Sequence, residues 1–135
     1  MLKTIFFSGA FAALGEAFVW SLIWYASMVN PFRLATPEAA ANMGFHFATS
    51  LLYGTLVGYI AIRMSLASSK VACLLAFLGI LVGHLLTFIS PMQLPNAPTV
   101  LNWEFPLLKL VFAAGFGSIW LAVSWVIRRR RRRIR

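Results

Sequence analysis

Residues 104–135 read EFPLLKLVFAAGFGSIWLAVSWVIRRRRRRIR. An apolar run reaches Ile127 and stops at six consecutive arginines, Arg128 to Arg133, before Ile134 and Arg135. A bilayer core about 30 Å thick needs about 20 helical residues at 1.5 Å each, so this run is long enough to cross. A basic block at the end of such a helix belongs on the cytoplasmic side by the positive-inside rule. The stretch therefore reads as a last transmembrane helix, about 104–127, with a basic cytoplasmic tail, 128–135.

Three similar runs precede it, at about 4–29, 37–64 and 70–90. The first stops at Asn30-Pro31. The second opens on Thr36-Pro37-Glu38, an N-cap, a first-turn proline and an acid that suits the helix dipole. Pro91 ends the third, and prolines 95 and 98 stiffen the connection to the fourth. Met1-Leu2-Lys3 and the small residues near Ala13 resemble a signal peptide, but the apolar run continues past Glu16 to Val29, too long for one. It is read as a retained first helix. The expected fold is all-α: a single-domain integral membrane four-helix bundle with both termini cytoplasmic.

Composition agrees. Apolar residues make up 61% and charged residues 11%, against roughly half and a quarter in soluble chains. Of the net charge of +9, most resides in the tail, where seven of the twelve cations occur. With the tail inside, that side also holds Lys3, Arg63 and Lys70, and only Arg33 and Lys109 lie outside: ten against two. This places the chain in a cytoplasmic (inner) membrane, N-in and C-in. Glu38 and Glu104 then lie outside, with Trp103 at the outer border and Trp125 at the inner one as interfacial anchors.

Small residues recur at helical spacing: Gly54 and Gly58, the series Ala72, Ala76, Gly79, Gly83 and Thr87, and Ala113 with Gly117. Such stripes let membrane helices approach closely. Cys73 is the only cysteine, so an intramolecular disulfide is excluded and a buried structural thiol is expected.

Glu16 falls near the middle of the first span, where an ionised carboxylate is costly and turns toward the bundle interior. Gly9, Ala12 and Ala13 beside it leave room for another helix. It is a candidate intramembrane proton site, or a structural acid that fixes packing. A lone glutamate in the first of four short helices resembles the small multidrug resistance transporters in that respect, which implies a homodimeric proton-coupled carrier. The aromatic and glycine pattern of that family's third helix is absent here, and the arginine tail is foreign to it.

His46 and His84 lie near the outer ends of antiparallel helices, at similar depth. They are candidate axial ligands of haem b, with Gly44 and Gly83 leaving space for a flat ring. Otherwise each bonds a neighbouring helix. Asn42, His46, Thr49, Ser50 and Tyr53 form a polar stripe on one helical face. With His84, Glu104 and Lys109 they outline an outward polar pocket for a quinone head group, a small anion or a partner's loop. Lys109 alone reads as a snorkelling interfacial lysine.

Arg128, Arg129, Arg130, Arg131, Arg132, Arg133 and Arg135 suit anionic lipid head groups, at about 1 kcal/mol per charge, or an acidic partner face. Nucleic acid is not expected, since no aromatic or folded platform accompanies the arginines. No CxxC, HExxH, GxSxG or phosphate loop occurs, and no metal site or enzyme is expected. The sequence points first to a non-catalytic accessory or assembly subunit of a larger membrane complex, without a cofactor. A haem or quinone electron-transfer module using His46 and His84 is the alternative, and a proton-coupled transporter using Glu16 comes third.

Overall fold

The computed structural model describes residues 1–26, 37–89 and 104–133. Four helices account for nearly all of them: α1 (Leu2–Ala26), α2 (Pro37–Arg63), α3 (Ser69–Ile89) and α4 (Glu104–Arg133). Each is long and apolar enough to cross a membrane. The protein is an all-α four-helix bundle of multi-pass membrane type. Asn30-Pro31, Arg33, Thr36, the segment 91–102 and Trp103 lie outside the described residues, as do residues 27–29 and Ser90 at the ends of the expected spans.

The expected ends agree to within about two residues wherever they are described, with one difference. α4 does not stop at Ile127 but runs through Arg133. Arginine is a good helix former, and cations in a last turn complement the partial negative charge there. The first part of the basic stretch is therefore a continuation of the helix.

α2 and α3 are joined by a tight turn. Leu66 and Ala67 both donate backbone hydrogen bonds to the Ala61 carbonyl. Ser65 takes a positive φ of 51°, and Leu66 is buried beneath the turn. Ser68 then caps α3, its hydroxyl accepting from the Val71 amide at 3.4 Å.

α1 packs chiefly on α2 and α3, and α4 chiefly on α3. The apolar core is thin: Ala12, Tyr53, Val57, Leu75, Ala76, Ile80 and Ala113. Small residues allow it to be thin. A Cβ at Gly54 would stand 2.6 Å from the Ala12 Cβ and 2.5 Å from the Ser8 carbonyl oxygen. One at Gly83 would stand 2.6 Å from the Lys109 carbonyl oxygen. The large apolar side chains point the other way: Phe6, Phe7, Phe11, Leu14 and Phe18 on α1 are all exposed, as expected where lipid is the solvent.

Gly54→Val should therefore force α1 and α2 apart. Overpacking of this kind costs about 1–3 kcal/mol, readable as a lower unfolding midpoint of the detergent-solubilised protein. An unchanged midpoint would mean that α1 and α2 do not meet at Gly54.

Candidate functional site: a buried ionic cluster

Four ionisable side chains, one from each helix, meet in the interior. Glu16 (α1), His46 (α2) and Lys109 (α4) are fully buried, and His84 (α3) is 2% exposed. Glu16 lies about 21 Å along α1 from Leu2. The other three lie roughly 8 to 14 Å from the opposite ends of their helices. Antiparallel packing brings all four to one level.

Glu16 is the hub. Its Oε2 forms an ion pair with Lys109 Nζ at 2.8 Å and accepts a short hydrogen bond from the Ser50 hydroxyl. Its Oε1 accepts from the Trp20 indole at 3.0 Å and lies 2.9 Å from His84 Nε2 and 3.2 Å from His46 Nδ1. A buried charge needs both a counter-charge and hydrogen bonds to replace water, and this carboxylate has both.

Lys109 is satisfied in the same way. Besides Glu16, its ammonium reaches Ser50 Oγ at 2.9 Å, the His46 carbonyl at 3.1 Å and Thr49 Oγ1 at 3.3 Å. His46 Nδ1 is also 3.3 Å away. That nitrogen therefore stands between an ammonium and a carboxylate. In one tautomer it donates to Glu16; in the other it accepts from Lys109.

The imidazole rings are nearly parallel, 13° apart in plane with centroids 5.5 Å apart. Phe105 packs against both, at 5.8 Å and 6.0 Å, and Trp20 stands edge-on to His46. The far ring nitrogens, His46 Nε2 and His84 Nδ1, are buried with no hydrogen-bond partner among the described residues.

Several sequence expectations change. Lys109 does not snorkel outward; it turns inward, because Glu16 offers it a counter-charge at bundle depth. Gly83 leaves no space for a flat ring, since the α4 backbone fills it. Glu16 and the two histidines, read from sequence as separate candidates, form one site. Asn42, His46, Thr49, Ser50 and Tyr53 are all buried. Thr49 bonds back to the Phe45 and His46 carbonyls, and the Tyr53 hydroxyl seats against the Gly79 backbone. Cys73 is buried and unbridged.

Arg128 to Arg131 are exposed at the far end of α4. Glu104 opens α4, but its side chain, like those of Glu38, Arg132 and Arg133, lies outside the described set, as does Arg135.

Trp20 and Phe105 were not singled out in the sequence. Trp20 follows Glu16 by four residues, one helical turn, so its part was legible there. Nothing local marks Phe105.

Glu16, His46 and His84 each bring a ligand atom within 4.8 Å of the others, a donor set that transition metals accept. The Lys109 ammonium already provides the positive charge beside that carboxylate.

The fold and site define a class: a multi-pass helical membrane protein with an occluded carboxylate–lysine–imidazole cluster. No known protein family matches the chain, and no curated protein or solved structure is significantly similar to it.

Proposed function

We propose that this protein handles protons within a cytoplasmic membrane, N-in and C-in, with the Glu16 cluster as its proton-binding site. The observation that carries this is the approach of both imidazoles to Glu16 Oε1, His84 Nε2 at 2.9 Å and His46 Nδ1 at 3.2 Å. Each imidazole turns one nitrogen to a carboxylate and keeps the other buried without a partner. A proton arriving at a free nitrogen makes an imidazolium whose counter-charge is already in contact. Histidine is the side chain that changes charge between pH 5 and 8 without special tuning. Ionisable groups inside membranes typically mark proton relays and ion pathways. The groups facing Glu16 are Trp20 from its own helix, His46 and Ser50 from α2, His84 from α3 and Lys109 from α4.

The third sequence reading thus becomes the first. Proton-coupled transport is one use of such a site, and proton transfer within a larger complex is another.

A second reading retains the accessory subunit, with the cluster acting only as a clamp. The exposed apolar face of α4 favours it: Val111, Ile119 and Val123 are 64%, 69% and 52% exposed, a surface suited to a membrane partner as well as to lipid. A haem between His46 and His84 fits less well. The nitrogens they turn inward both point at Glu16 Oε1, and the α4 backbone lies against Gly83.

Proton uptake after a pH jump from 8 to 5 tests the proposal, read by a pH dye in purified protein. Wild type should take up about one proton more than Glu16→Gln. Equal uptake in a folded Glu16→Gln protein would leave the clamp reading.

A further inference from the structure

A cleft of about 360 Å³ opens at the other end of the bundle, where α2 turns into α3 and α4 finishes. Met64, Ser65 and Leu66 form one wall, and Trp125, Arg128 and Arg129 the other. The three α4 residues share a helical face, being separated by three and four positions. The Arg129 guanidinium lies over the Trp125 ring, 5.2 Å from its centroid, which orders it by a cation–π contact.

Charge decides what fits. The sequence contains only three acids, Glu16, Glu38 and Glu104. Glu16 is committed to Lys109, and the other two are at the starts of α2 and α4, the opposite end of the bundle. Lys3, Arg63, Lys70 and Arg128 to Arg131 thus share one end, where no Asp or Glu occurs among the described residues. Most of their counter-charge then comes from outside the chain. The planar guanidinium fork prefers a phosphate or carboxylate, which it grips through two parallel hydrogen bonds.

Position decides the source. The cleft sits at the border where the apolar span of α4 gives way to arginine. Trp125 and Ile127 are about half exposed on the apolar side, and Met64 is exposed across from them. A molecule bound there has a phosphate beside Arg128 and Arg129 and an apolar body against α4.

The geometry points to a specific phospholipid site: the Ser65–Arg128–Arg129–Trp125 cleft holds the phosphate head group of one anionic membrane lipid. This differs from diffuse attraction of a polybasic tail, in which every arginine counts alike. It is independent of the proton reading, since none of these residues touches the Glu16 cluster.

Native mass spectrometry of the full chain in mild detergent tests it, with phosphatidylglycerol and phosphatidylcholine of equal chain length. Wild type should retain one phosphatidylglycerol. Arg128→Gln/Arg129→Gln should retain it at least tenfold less. Arg130→Gln/Arg131→Gln removes the same charge from residues that do not line the cleft, and should retain it as wild type does. Inorganic phosphate in excess should not displace the lipid. Equal losses in the two double variants would mean diffuse attraction and overturn the site. So would absence of retained lipid, equal retention of phosphatidylcholine, or displacement by inorganic phosphate. Both variants alter exposed residues at a helix end, and unchanged unfolding midpoints will show that the bundle is intact.

Discussion

Lys109→Met should destabilise the protein by about 3–5 kcal/mol, the usual result of removing one partner from a buried ion pair. Methionine matches the lysine stem in length and fills the same channel beside Gly83, so the loss is not mainly one of packing. What changes is the environment of Glu16. Its Oε2 loses the ammonium at 2.8 Å and keeps only the Ser50 hydroxyl. Thr49 and the His46 carbonyl lose a donor as well.

Adding Glu16→Gln should recover much of that loss. The double variant has no uncompensated charge, and a neutral pair in a buried site is often as stable as the ions it replaces. The expected coupling is about 2 kcal/mol, at the upper part of the range for residues in direct contact. Unfolding of wild type, the two single variants and the double variant in mixed detergent micelles would provide the cycle. A Lys109→Met protein within 1 kcal/mol of wild type would show that Glu16 does not depend on the ammonium.

His46→Gln/His84→Gln should remove the proton uptake assigned to the cluster, from about one proton per chain to near zero between pH 8 and 5. Glutamine is chosen because its amide N–H can donate to Glu16 Oε1, the oxygen both imidazoles approach, yet it does not titrate. The contact network then survives while both imidazoles are lost. Loss of stability should remain within about 1.5–3 kcal/mol per substitution, the scale of a hydrogen bond to a charged group. The single variants separate the rings. His84 uses Nε2 toward Glu16, whereas His46 Nδ1 is shared between Glu16 and Lys109. His84→Gln should therefore disturb the ion pair less than His46→Gln does. A double variant that takes up protons as wild type does would move the proton site away from the imidazoles.

The site's residues were mostly visible in the sequence, but their union was not. Glu16 stood out by its charge, and His46 and His84 by their matched depth. Lys109 was assigned to the interface, because a long flexible stem can reach either water or the interior and its own helix does not decide which. Ser50 appeared in a polar stripe but not as a ligand of the carboxylate. Phe105 had no distinguishing local pattern.

By itself the sequence determined the helix count, the described helix ends to within about two residues except that of α4, which runs on through Arg133, the membrane class and the charge asymmetry between the two ends. These follow from local properties: run length against bilayer thickness, prolines at boundaries, and arginines after an apolar stretch. The tertiary structure decided which faces turn inward. In water an amphipathic stripe declares the buried face of a helix. In a bilayer the lipid-facing and core-facing sides are both apolar, so rotation is set by close contacts such as Gly54 on Ala12 and Gly83 on α4. Those contacts rotate Glu16, His46, His84 and Lys109 onto one point, although up to 93 residues separate them along the chain.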